Sequence, residues 1–472
     1  MTARVRVVLV VVAALSCAAS SYAQVARPPA RPSRPRLGGG APQDPNRVRH
    51  DLTLDAFVLG GYQDNITPFG TKTAGVAARP SATTTAGDVA LQYGLGTLTK
   101  GLDIAGRGTA SYASTYRSTG QPPAYGGDLA IHGRIGLGRH TKVAAFQSVQ
   151  VSPYASLGIF GGLSGSAATS HTNAFAGGGI PGVEANMANA LFEGMIWAVQ
   201  TSASLDHEWT RRMSTVASYS FNRQAHEDRS LLNNHTHVGR LGFNRKVGRA
   251  GTLNTSYSAS VADTQGRGRA GTTENHTITF GGGIHREISR TRTLALSGGG
   301  GASHIDSSGF RAVRQEYWLP NVYATVNLDL GRSWTVAVDW RQSASVLPSP
   351  VIGPRTFFSR SAHVSLGGQL GRRIELVFSG ANANGVVARS VLGDEGSYKG
   401  YTGNGQVRIG LTRWWSAIAS INHYQAFLSG SAAEALATSP NFHTNSVMVG
   451  FGWSVPLLNT AADRSGARGG RK

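Results

Sequence analysis

The chain has 472 residues, of which 62 are glycine and only 15% are charged, with 45 Lys and Arg against 25 Asp and Glu for a formal charge of +20. That composition argues against a helical protein and for many short strands joined by Gly-rich loops. The single cysteine, Cys17, rules out a disulfide framework, and no run of 18 or more apolar residues marks a transmembrane helix.

The first elements in chain order belong to export. Arg4 and Arg6, the apolar run Val7 to Leu15 and the small-x-small site Ser21-Tyr22-Ala23 predict a signal peptide over 1–23, with Gln24 as the first mature residue. Cys17 does not read as a lipoprotein anchor, because Ala14 stands where such a signal wants a large aliphatic residue. Residues 24–50 are Pro- and Arg-rich, cannot bury a core, and read as a disordered periplasmic arm. Much of the positive charge sits in this arm and in the basic tail expected over 457–472. Export makes nucleic acid an unsuitable partner; anionic lipid, lipopolysaccharide, peptidoglycan or polysaccharide fits the charge better.

From Asp51 onward, short basic or Gly-containing turns recur near Lys100, His140, Arg211, Gly248, Arg290, Arg332, Arg372 and Arg413, mostly about 40 residues apart. A propeller blade has a similar period. Here, however, each period holds two long arms and one loop of about ten residues or more, the layout of an outer-membrane barrel. Eighteen arms can be counted between 51 and 456; sixteen is the alternative, since the arms over 234–246 and 251–263 alternate poorly.

The pattern is clearest in three places. Over Asp128 to Leu137, Leu129, Ile131, Ile135 and Leu137 oppose Asp128, Ala130, His132 and Arg134. Over Asn321 to Gln342, two strictly alternating arms meet at Gly331-Arg332-Ser333, too short for anything but an antiparallel hairpin. Near the end, Val447, Val449, Phe451, Trp453 and Val455 share a face. Trp209, Trp334, Trp414, Trp415 and Trp453 fall at short-turn ends, and Tyr62, Tyr116, Tyr154, Tyr317, Tyr401 and Tyr424 toward long-loop ends. Two aromatic belts match the two lipid–water interfaces. The expected fold is all-β: a single transmembrane antiparallel up-and-down barrel of about eighteen strands over 51–456, with both termini on the short-turn, periplasmic side.

This hairpin rhythm, the belts and the last strand, His443 to Leu457, resemble bacterial outer-membrane β-barrel proteins of the porin-like type. The resemblance covers Asp51 to Val455 and implies a bacterial outer-membrane location, lipid and lipopolysaccharide as surroundings, and the barrel-insertion machinery as a partner. It also suggests that the longest loop, Ser156 to Ala190, the third on the long-loop side, either folds inward as a constriction or remains a surface loop. The chain departs from the type in continuing past Trp453 to a basic tail, without a terminal aromatic residue. No plug segment precedes the barrel, which argues against an active nutrient receptor.

Alternation predicts that Asp103, Arg107, Asp128, His132, Arg134, Asp329, Asp339, Arg341, Glu375 and Arg408 face the lumen. Mixed charges are what any hydrated lumen shows; a transverse field acting on a polar or anionic solute is the sharper reading. Catalytic motifs are absent. In Phe442-His443-Thr444-Asn445-Ser446, His443 and Asn445 fall on one face and Ser446 on the other, which breaks a triad. His235 and His237 lack a convergent third ligand and read as lumen or turn histidines. Gly281 to Gly283 and Gly298 to Gly301 read as strand kinks or bulges, because no helix follows to make a phosphate cradle. No cofactor and no metal are implied. The expected function is a passive or weakly selective channel for small polar solutes or saccharides; the alternatives are a non-conducting envelope- or exopolysaccharide-associated barrel and, third, a barrel enzyme.

Overall fold

A computed structural model describes residues 49–64, 82–97, 100–113, 124–154, 193–226, 233–266, 269–289, 291–309, 315–331, 333–349, 353–387, 396–429 and 441–459. The expected leader, the Pro/Arg arm up to residue 48, the long loop over 156–190, Tyr116 and nearly all of the tail lie outside these residues, while Arg49 and His50, expected in the arm, already belong to the first strand. The strands are β1 (Arg49–Gln63), β2 (Ala82–Gly96), β3 (Lys100–Ala113), β4 (Ala124–Leu137), β5 (Thr141–Tyr154) and β6 (Glu193–Thr210). They continue with β7 (Met213–His226), β8 (Asn233–Val247), β9 (Gly251–Gly266), β10 (Arg269–Ser289), β11 (Arg292–Gly309) and β12 (Gln315–Leu330). The last six are β13 (Trp334–Ser349), β14 (Gly353–Leu370), β15 (Ile374–Val387), β16 (Gly396–Gly410), β17 (Trp415–Ser429) and β18 (Asn441–Asn459).

Each strand pairs antiparallel with its sequence neighbours, and β1 pairs with β18 from Asp51↔Asn459 to Gln63↔Ser446, so the 18-stranded sheet is closed. Closure satisfies the backbone groups that an open edge would leave unpaired. The sixteen-strand alternative fails because β8 and β9 pair along their length despite weak alternation. The last strand continues to Asn459, past the boundary expected at 456.

Register separates two faces. Val58, Leu129, Ile131, Ile284, Val364, Phe378, Ile421, Val449 and Phe451 are all exposed on one of them. The opposite face carries the buried side chains, among them Asp55, Asp88, Ser148, Thr273, Asn422 and Ser446. Exposed apolar surface this extensive does not persist in water. Around a closed sheet it is the lipid-facing wall, and the polar face lines the interior. Strands of 14 to 21 residues exceed the roughly 9–11 that cross a bilayer, so they project beyond it.

At the short turns Gly96, Gly138, Gly248, Gly331 and Gly371 have φ between 67° and 118°, the left-handed region a side chain resists. On the outer wall the indole of Trp334 lies flat over Gly368, where a Cβ would collide with the ring. The same device closes the barrel from inside. Phe57 covers Gly452, Leu59 covers Gly450, and Met448 covers Gly61. With Ala86 and Ile418, Phe57, Leu59 and Met448 form a buried apolar cluster along the β1–β18 seam.

Candidate functional site: the inner wall of the barrel

The inner wall is built by period-two alternation, so its lining follows from register. On β2 to β4 the predicted residues form two ladders. Arg107 pairs with the Asp88 carboxylate and sits opposite Asp128. Asp103 sits opposite His132, with Nδ1 to Oδ2 at 3.6 Å, and Arg134 lies across Gly101. Asp55 of β1 adds a further buried carboxylate.

A second charged sector lies across the barrel on β12 to β16. Asp329 accepts from the Thr293 hydroxyl and, at 3.2 Å, from that of Thr335. Asp339 faces His363, Oδ2 to Nδ1 3.8 Å, and Arg341 is two positions further along the same strand. Glu375 sits directly opposite Arg408, whose Nε donates to Ser416 Oγ at 3.2 Å and whose guanidinium lies 5.9 Å from the Phe57 ring centroid. All ten sequence-derived charged residues therefore share the face of the buried side chains. Acids and bases alternate within both sectors, so the described residues do not separate into one acidic and one basic wall.

Sequence reasoning missed the sector between them. From β7 to β11 the inward face is mainly hydroxyl and amide, interrupted by glycines, by Arg240 and by the buried Val216, Ala262 and Ile305. Ser256 and Thr279 hydroxyls are 2.7 Å apart, those of Thr277 and Ser303 2.6 Å, and those of Thr273 and Ser307 3.1 Å. Arg240 donates to Ser256 Oγ at 3.3 Å. Only the run of serines and threonines at alternate positions on β9 could have signalled it.

The glycine-rich runs belong to this wall too. The Tyr323 ring, inward on β12, lies across Gly299 of β11 and Gly281 of β10, and its hydroxyl accepts from Asn254 Nδ2 at 3.4 Å on β9. These glycines are not bulges: β10 and β11 stay in regular register through them.

The aromatic assignments need correction in part. Trp209, Trp334, Trp415 and Trp453 point outward near the short turns, the last two with ring centroids 6.4 Å apart, and Trp414 lies in the turn before β17. Tyr62 and Tyr401 point outward toward the long-loop side. Tyr154 ends β5, and its side chain lies outside the description. Tyr424 is 7% exposed and faces inward, in phase with Ser416, Ile418 and Asn422. Tyr317 is also inward, in register with the buried Ile305, and Trp318 takes the outer position. His235 and His237, expected in the lumen or a turn, face outward in phase with Leu241 and Phe243. There the Tyr219 hydroxyl is 2.7 Å from His237 Nδ1, and Tyr257 is 2.8 Å from His276 Nδ1. Phe221, His237, Tyr257, His276, His304 and Trp318 form an outer girdle that the sequence did not reveal.

His443 and Asn445 lie on the outer face and Ser446 on the inner, where it accepts from Asn422 at 3.1 Å. Among the described residues no group of three His, Cys, Asp or Glu is placed to hold a metal.

A closed sheet, oily outside and polar inside, defines an outer-membrane β-barrel protein of porin-like architecture. No protein-family model matches the chain, and no curated protein matches it. Solved structures of similar fold include Pseudomonas aeruginosa OccK2 (OpdF) in complex with glucuronate, 10% identical over 87% of this chain and 98% of that one, TM-score 0.43. The outer membrane protein OpdK from Pseudomonas aeruginosa is 11% identical over 86% of this chain and 99% of its own, TM-score 0.41. The ferric-catecholate import receptor Fiu from E. coli K12 is 9% identical over 88% of this chain and 82% of its own, TM-score 0.42. At these values the likeness concerns the barrel alone.

Proposed function

We propose that the barrel is a passive, weakly selective outer-membrane channel for small polar solutes, with saccharides as the best-suited class. The observation that carries this reading is the composition of the inner wall: charged sectors on β2–β4 and β12–β16, with hydroxyls and amides between them. A hydroxyl-rich surface exchanges hydrogen bonds with a sugar at little net cost, and locally paired charges leave only a weak preference for ions of one sign. Thr264 Oγ1, Ser420 Oγ and Gln406 Oε1 are buried without a hydrogen-bond partner, a state that a hydrated interior relieves. An eighteen-strand barrel is wide enough for an aqueous path.

One observation favours the alternative of a non-conducting interaction barrel. Inner-wall residues Ile305, Met448 and Leu59 are only 0%, 1% and 2% exposed, so parts of the wall are covered. The wall is also folded tightly enough that β10 and β14, four strands apart, approach each other.

Planar-bilayer recording on folded, purified protein separates the two. Steady ohmic steps with a small reversal potential in a salt gradient support the channel. Silence from protein shown to be folded contradicts it.

A further inference from the structure

The charges on the outer wall are distributed unevenly around the barrel. On β10 to β12, Glu274, Asp306 and Glu316 sit outward in one cross-strand row. On β13 to β17 the described residues place no carboxylate outward. There a different row, one that meets β12 at Val322 on the short-turn side of Glu316, runs Gln342, Arg360, Asn384, Lys399 and Phe427 across five adjacent strands.

We propose that Arg360 and Lys399, with Asn384 between them, form a binding site on the outer wall for the phosphate groups of a phosphorylated glycolipid of the outer leaflet. Their height on the wall supports this. On β14 the outward positions from Leu370 back to Ala362 are apolar, and Arg360 is ten residues from Leu370. On β16 Lys399 is likewise ten residues from Ile409, above Val407, Gly405, Gly403 and Tyr401. Roughly 9–11 residues carry a strand across the hydrocarbon, so both cations lie at the interface opposite the short turns. With short turns on the periplasmic side, that interface is the outer leaflet.

Local geometry holds the cations at the wall. Arg360 Nε donates to Gln342 Oε1 at 2.9 Å, and its guanidinium carbon lies 5.9 Å from the Phe358 centroid. Lys399 Nζ lies 5.3 Å from the Tyr401 centroid. Rings and an amide orient the cations without neutralising them. Both cations and Asn384 are exposed, and no ion pair is made by either cation among the described residues. Two strand spacings put Arg360 and Lys399 about 10 Å apart. An anionic lipid can dock its headgroup there and lay its acyl chains on Val364, Leu366, Phe378 and Val407 below. Arg–phosphate contacts are strong because the guanidinium fork matches the phosphate oxygens.

The test uses native mass spectrometry of the full-length barrel in detergent, with a bis-phosphorylated lipid A and its dephosphorylated form as probes. Folding of every variant is checked by heat-modifiable mobility. Wild type is expected to retain lipid A and not the dephosphorylated form. R360Q/K399Q is expected to lose retention by about thirtyfold, the change two cations are worth near an anionic interface. R360K/K399R keeps both charges and is expected to keep most of the binding. R372Q/R373Q, in a short turn on the other side, is expected to match wild type. Absence of lipid A retention by wild type, or equal retention by R360Q/K399Q, overturns the proposal. None of these outcomes depends on whether the barrel conducts.

Discussion

The ring of Tyr323 crosses Gly299 on the next strand and ends with its hydroxyl over Gly281, two strands away, where Asn254 Oδ1 and the Gly298 carbonyl also crowd in and leave no room for a Cβ. The side chain runs along the wall and not toward the barrel axis, and Asn254 anchors its hydroxyl at 3.4 Å. A bulky residue is thus held out of the lumen by glycines that present no side chain.

Gly281→Val removes that floor. Overpacking of this kind costs about 1–3 kcal/mol, visible as a lower urea midpoint for the refolded barrel. If the channel reading is right, conductance falls as well, because the displaced ring enters the lumen. Adding Tyr323→Ala to Gly281→Val recovers part of the loss, since Asn254 Oδ1 and the Gly298 carbonyl still crowd the new side chain; a double variant no better than Gly281→Val alone would show that Tyr323 is not what Gly281 accommodates.

The seam predicts a stability difference between the two faces of β18. Met448 is inward and 1% exposed, packed with Leu59 and Ile418; neighbouring Val449 is outward and 58% exposed. Met448→Ala opens a cavity in the closure cluster and costs about 2–5 kcal/mol. Val449→Ala, which leaves no cavity, costs much less. Urea titration in lipid vesicles ranks them, and equal losses would contradict a packed interior seam.

Charge placement gives the opposite ordering. Val449→Arg puts a cation against hydrocarbon and costs about 2–4 kcal/mol if it is near the midplane. Gln150→Arg puts one inside, directly across from Asp128, and is tolerated. Folding yields of the two variants into vesicles decide the matter.

Glu375 and Arg408 form a cross-strand pair on the inner wall. Glu375→Gln leaves Arg408 as the stronger local charge and moves the reversal potential toward anion preference. Arg408→Gln moves it toward cation preference. Shifts of the same sign in both variants would show that this pair does not face the conducting path.

The arms were legible because alternation survives in each. In β4, Leu129 and Ile131 stand against Asp128 and His132, and the phase of the charges followed directly. Phase failed where both faces carry apolar residues. On β17 Ile418 is inward and Ile421 outward, so Tyr424 could not be assigned without its register to Thr402. On β1 the inward Phe57 and Leu59 flank the outward Val58. The role of the glycine runs of β10 and β11 was hidden for a different reason: the side chain laid across Gly281 and Gly299 comes from β12, and nothing local announces it.

The central claim is a closed barrel with lipid outside and water within, and spin labelling of β4 in vesicles tests it most directly. With Cys17 replaced by serine the sequence has no other cysteine, so labels can be placed singly at Asp128, Leu129, Ala130, Ile131, His132, Gly133 and Arg134. The account predicts that Leu129, Ile131 and Gly133 are relaxed by oxygen dissolved in the bilayer. It predicts that Asp128, His132 and Arg134 are relaxed instead by a water-soluble nickel chelate. Loss of that alternation, or chelate access at the Leu129 and Ile131 positions, would contradict it.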